Sequence, residues 1–115
     1  MKTIYHITPR QDWEQAKAIG VYRAQSLETE GFIHCSTSAQ VVKVANSFFK
    51  NQTDLLLLFI NPDEVESEIR YDLVLGKERF PHIYGALNLN AIFKAINFEA
   101  NQNGLFELPS LDLSE

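Results

Sequence analysis

The amino-acid sequence predicts an α+β fold, with two main helices in the N-terminal half and a curved or split β-sheet supplying most of the rest. Three observations carry this. Two strand–cap–helix units, "TIYHITPRQDW" and "GFIHCSTSAQVV", lie one after the other in the first half of the chain. "DLLLLFI", ended by "NPDE", is a short continuous apolar run of the kind that forms a strand covered on both faces. After it, "IRYDLVL" and "RFPHIYGAL" read as extended, so strands dominate the second half. At 115 residues the chain is a single domain, residues 1–115. A domain of that size buries roughly 65% of the surface its unfolded chain exposes, enough for a core without covalent staples.

Taken in order, "TIYHIT" has the β-branched and aromatic content of a strand, with Ile4, His6 and Thr8 on one face and Tyr5 and Ile7 on the other. Thr8 as N-cap, Pro9 at the first helical position and Gln11 at the capping-box position start a helix that turns Trp13, Ala16 and Ile19 inward and stops at Gly20. "GFIHCS" alternates Phe32, His34 and Ser36 against Ile33 and Cys35. Thr37 and Gln40 repeat the capping-box spacing ahead of a helix whose apolar face is Val41, Val44, Ala45 and Phe48, widened by Val42 and Phe49. "DLLLLFI" is the expected central strand. "IRYDLVL" sets Ile69, Tyr71, Leu73 and Leu75 against Arg70, Asp72 and Val74, a half-buried alternation closed by Gly76. Pro81 directs "RFPHIYGAL" to an edge, or to a loop running into one. "NLNAIFKAINFEA" fits a helix through Leu89, Ile92, Phe93 and Ile96, and equally a single turn followed by a strand from about Phe93. "SLDLSE" reads as a frayed end.

Composition excludes several classes of function. The single cysteine, Cys35, rules out an internal disulfide framework and a multi-cysteine metal site, and suits a reducing, cytoplasmic setting. "MKTIYHITPRQDW" lacks the apolar stretch of a signal peptide, and "LLLLFI" is far too short to span a bilayer, so no membrane partner is expected. A net charge of −5 without a Lys/Arg cluster repels a phosphate backbone, which argues against long nucleic acid.

The residues with chemistry to offer are few. "YHITPRQ" and "IHCSTSAQ" each end a strand with a histidine and follow it with a hydroxyl and a helix start, an arrangement whose free N–H groups and helix dipole suit a phosphate or carboxylate. All three histidines, His6, His34 and His82, stand on extended segments beside hydroxyl or aromatic residues, which predicts one shared concave site. A three-histidine zinc site would need those rings to converge on one point, and the short-range H-E-x-x-H pair that signals zinc is absent, so no metal is expected. Cys35 points away from His34 and shares the face of Ile33, which makes it a packing residue and not a nucleophile. In "KERFPHIYG", Glu78, Phe80, His82 and Tyr84 share a side if the segment is extended. Rings flanking a histidine can form a slot for a base or nicotinamide, and a carboxylate there can stabilise a developing cation.

"YHIT", "SLETEGFIHCSTSAQ" and "FPHIYGAL" resemble the signature segments of the DUF952 family, small bacterial proteins without an established activity, over roughly Ile4 to Ile96. More distantly, "YHIT" and "GFIHCST", each followed by a helix, are similar to the pattern of RNA 2′-phosphotransferases in the ADP-ribosyltransferase superfamily. That resemblance implies split β-sheets gripping NAD as cofactor. His6 and Thr8 would contact the adenosine-side ribose, His34 and Ser36 would line the nicotinamide cleft, and Tyr84 and Phe80 would help hold the ligand. The superfamily's catalytic glutamate would be matched by Glu78 or Asp72, or its place taken by His82. The chemistry implied is ADP-ribosyl transfer or cleavage of the NAD glycosidic bond, with a small-molecule or protein acceptor. The alternatives are a non-catalytic nucleotide or phosphometabolite binding module, a histidine-ligated metal site, and a purely structural or partner-binding domain.

Overall fold

A computed structural model describes residues 2–108; the segment "SLDLSE" lies outside the described residues. The elements run β1 (Ile4–Pro9), α1 (Arg10–Ile19), β2 (Val21–Tyr22), α2 (Gln25–Thr29), β3 (Ile33–His34), α3 (Val41–Phe48), β4 (Leu55–Ile60), β5 (Glu68–Val74), β6 (Glu78–Tyr84), β7 (Leu87–Asn88) and β8 (Ile92–Phe98). Short 3-10 turns occupy Pro62–Glu64 and Leu89–Ala91. Among the described residues the strands form three small antiparallel sheets, β1-β4-β8, β2-β7 and β3-β6-β5, and the three helices precede β4. This is the expected α+β class with the sheet divided. One backbone bridge, Tyr5 N–H to Ser36 C=O and Ser36 N–H to Tyr5 C=O, both 2.8 Å, ties the first sheet to the third.

β4 is the expected central strand, and all six of its residues are buried. Its alternation divides the core. Leu58 and Ile60 pack with Ile4, Tyr22, Ile33 and Ile83 on one side, while Leu55, Leu57 and Phe59 pack with Tyr5, Val41, Phe98 and Phe106 on the other. Each such side chain removed from water contributes about 1.5–3 kcal/mol, so this strand holds the helical and sheet layers together. Cys35 sits in the first cluster beside Ile33, as its alternation predicts. The segment after β7 takes the turn-then-strand form, the second of the two alternatives its sequence allowed.

Several local expectations are corrected. Thr8 does not cap α1. Pairing with β4 continues through Pro9 opposite Leu55, and Arg10 N–H still bonds Asp54 C=O at 2.9 Å, so the N-cap is Pro9, without a side-chain bond. At α3 the capping contact does form, Thr37 N–H to Gln40 Oε1 at 3.0 Å, but it closes a turn ahead of a helix that begins at Val41. Ile19 and Phe48 end their helices exposed, because each lies in a last turn that overhangs the core. Pro81, expected at an edge, lies in β6, the middle strand of its sheet. Its C=O accepts from Cys35 N–H at 3.0 Å, so its missing N–H faces the point where β3 stops, and the two-residue length of β3 follows from that lost bond. Finally, β5 buries none of its seven residues: Ile69 packs against the core, but Tyr71, Leu73 and Leu75 run past it into solvent.

Candidate functional site

Antiparallel register places His34, His82 and Arg70 in one row across β3, β6 and β5, with Tyr84 opposite Glu68 and Phe80 opposite Asp72 in the neighbouring rows. Directly paired residues project to the same face, so one side of this sheet carries two histidines, two aromatics and several charges. Phe32, two residues before His34, completes it. Its ring stacks on the His82 imidazole with centroids 4.0 Å apart and planes 14° from parallel. The His34 ring meets His82 edge-on at 5.3 Å and Phe32 at 4.9 Å.

His82 is buried, yet its Nδ1 lies 2.8 Å from Asp72 Oδ2, a diagonal contact between β5 and β6. Tyr84 donates its hydroxyl to the same carboxylate oxygen. These two donors, Tyr84 foremost, hold the Asp72 carboxyl below its usual range, and the ionised neighbour raises the Tyr84 hydroxyl. An ionised Asp72 accepts a hydrogen bond from His82 Nδ1–H, so Nε2 is the ring nitrogen that the carboxylate does not engage. His34 is oriented by a different acid, its Nε2 3.0 Å from Glu30 Oε2, and its ring is half exposed. Arg70 lies over the Tyr84 ring at 4.5 Å while gripping Glu68 through two bonds of 2.9 and 3.0 Å. The face therefore presents two imidazoles, each aligned by a carboxylate, beside a wall of aromatic rings.

His6 stands behind this face. Burial holds its imidazole at about 4, well below the usual value, so the ring is neutral. Nδ1 donates to the His34 C=O at 2.5 Å, which leaves Nε2 as an acceptor for the Tyr22 hydroxyl at 2.7 Å. Tyr22 has one proton, so the Thr8 hydroxyl, 2.9 Å away, supplies the second bond by donating to it. The result is a buried chain with every group satisfied, Thr8 to Tyr22 to His6 to the His34 backbone. Because His34 and His82 form a non-hydrogen-bonded pair, the His34 C=O points off the sheet edge, where the His6 side chain replaces a missing strand.

The structure thus brings His34, His82, Phe80 and Tyr84 to one face and places His6 and Thr8 beneath it. Ser36 is buried at the bridge to Tyr5. Glu78 lies four residues from His82 along β6, about 13 Å at the usual strand rise, and its carboxylate is bound by Lys43 and by Gln40 Nε2, at 3.1 Å for the latter. Both partners hold its acidity on the strong side, Lys43 most. Among the described residues no group of three or more His, Cys, Asp and Glu is arranged to hold a metal ion; His6 has both nitrogens engaged. Sequence reasoning did not single out Phe32, Glu30, Arg70 or Tyr22. Phe32 alone had a readable signal, its i−2 spacing from His34.

The pattern of the family described as "Protein of unknown function (DUF952)" matches residues 7–95. The crystal structure of protein CC0527 from Caulobacter crescentus is similar to this chain at 28% identity, covering 92% of this chain and 94% of that one with a TM-score of 0.84. The solution NMR structure of CC0527 gives a TM-score of 0.80 over 91% of each chain. No curated protein matches the chain.

Proposed function

The chain belongs to the DUF952 family, and we propose that its histidine face binds a small nucleotide-like ligand and works by proton transfer through His82 and His34. The observation that carries this reading is the state of His82: a buried imidazole, fixed through Nδ1 by Asp72 and stacked on Phe32, 5.3 Å from a second imidazole with its own carboxylate. Such an arrangement serves catalysis because the carboxylate fixes tautomer and orientation, leaving Nε2 to take a proton, while the more exposed His34 supplies one. The Phe32 and Tyr84 rings offer an edge for a base or nicotinamide. His6 acts from beneath as a positioning residue that holds the His34 backbone.

With NAD as ligand, the same face gives a finer reading. Breaking the nicotinamide–ribose bond leaves a cationic ribosyl centre, and Asp72, kept ionised by its two donors, is the carboxylate placed among the rings. One observation favours the alternative of binding without turnover: Glu78 is engaged by Lys43 and Gln40, and Asp72 already accepts two donors. The test is a thermal-shift screen with NAD, ADP-ribose, nicotinamide and inorganic phosphate, followed by an NAD-consumption assay on wild type and Asp72→Asn. Turnover abolished by Asp72→Asn supports the enzyme, and stabilisation without turnover supports the module. No shift with any compound at millimolar concentration overturns both.

A further inference from the structure

β5 is a seven-residue strand with no buried residue, at the open edge of the β3-β6-β5 sheet. It pairs with β6 without a bulge from Glu68 opposite Tyr84 to Val74 opposite Glu78, and it contains no proline. Long, regular edges of this kind template pairing with another strand. Its apolar alternation, which reads as a core face, is left uncovered among the described residues: Tyr71 is 46% exposed and Leu73 53%.

We infer that a second copy of this chain pairs with β5 along this edge, antiparallel, about a two-fold axis at Tyr71. The direction of the backbone groups supports the choice of axis. Pro81 turns its C=O toward Cys35, so its partner Tyr71 directs N–H and C=O to the open side, where Tyr71 of one copy and Tyr71 of the other exchange two bonds. Charge supports the register. Pairing centred on Tyr71 engages all seven residues of β5 and sets Arg70 of each copy, which also holds its own Glu68, opposite Asp72 of the other, which also accepts from its own His82 and Tyr84; centring on Arg70 or on Asp72 sets like charges face to face. On the opposite face the same register places Leu73 beside Ile69, covering the apolar residues the single chain leaves in water. At present the Arg79 guanidinium occupies the Tyr71 C=O at 3.2 Å, an exposed contact that the second strand replaces with a backbone N–H.

The experiment is sedimentation equilibrium on the full chain, together with three variants that each add one cysteine, compared under a mild oxidant. Cys35 is buried and does not interfere. Wild type should be dimeric at about 100 μM, Leu73→Lys should weaken association at least about tenfold, and Arg79→Ala should strengthen it. Tyr71→Cys should cross-link to a dimer at least about tenfold faster than Leu75→Cys or Ile69→Cys, since only residues on the axis come within the roughly 5.5 Å that a disulfide needs. Leu75→Cys controls for exposure, being 85% exposed yet off the axis. A monomer at every concentration, or faster cross-linking through Ile69→Cys or Leu75→Cys, overturns the inference. The cross-linking comparison decides the matter if Leu73→Lys fails to fold.

Discussion

Replacing His6 by Gln keeps a donor for the His34 C=O and an acceptor for the Tyr22 hydroxyl but removes the titration. Burial holds the folded imidazole at about 4 against 6.5 in the free side chain. Below about pH 6.5 the unfolded chain takes up a proton that the folded chain refuses until about pH 4, so the unfolded state gains and stability falls across that window. Each factor of ten in proton affinity is worth about 1.4 kcal/mol, which makes the loss roughly 3 kcal/mol in all. Asp72 and Glu78, whose acidity is strengthened by their partners, lose their contributions as pH falls through their folded values, but do so in both proteins and cancel in the comparison. Urea unfolding followed by circular dichroism should therefore find His6→Gln less stable by about 1–2 kcal/mol near neutral pH, from imperfect hydrogen-bond geometry. The difference should then close and reverse by about pH 4.5. Parallel stability profiles for the two proteins would refute the buried, neutral placement of His6.

Other outcomes follow from the same contacts. Tyr22→Phe leaves His6 Nε2 buried without a donor and should cost about 1–3 kcal/mol in unfolding free energy, with thermal melting as the readout. Burial raises the Cys35 thiol above its ordinary range, so labelling by a thiol reagent should be negligible in the native protein and complete in denaturant; rapid native labelling would contradict its place in the core. Gly85 has φ 155°, and a Cβ there would fall 2.5 Å from Ser67 Oγ and 3.0 Å from Ser67 Cβ. Gly85→Ala should consequently lower stability by roughly 1–3 kcal/mol in denaturant titration.

What was legible in the sequence is what local pattern determines. The "LLLLFI" run, the alternation of β1 and the inward turn of Cys35 all follow from periodicity, and each stands in the structure as read. What was not legible depends on partners distant in the chain. Thr8 looks like a cap until β4 extends the pairing past it and Tyr22 claims its hydroxyl. Pro81 argues for an edge until β3 proves to end where its N–H is missing. The alternation of β5 cannot say that the core stops at Ile69. At the site, three histidines on extended segments read as one group, but only His34 and His82 share a face, and His6 lies buried behind it. The pairing of His82 with Asp72 and not with Glu78 needed the register of β5 against β6, and the short α2 that brings Glu30 to His34 has no periodicity to announce it.

Calorimetric titration of ADP-ribose and NAD into wild type, His82→Ala and Cys35→Ala reads the ligand site built on His82. Wild type should bind at least one of the two with a dissociation constant of about a millimolar or tighter. His82→Ala should lose about 1–3 kcal/mol of that binding, a factor of about 5 to 150, while Cys35→Ala keeps it. Absence of binding at millimolar concentration, or equal affinity in wild type and His82→Ala, would rule out a ligand site on His82.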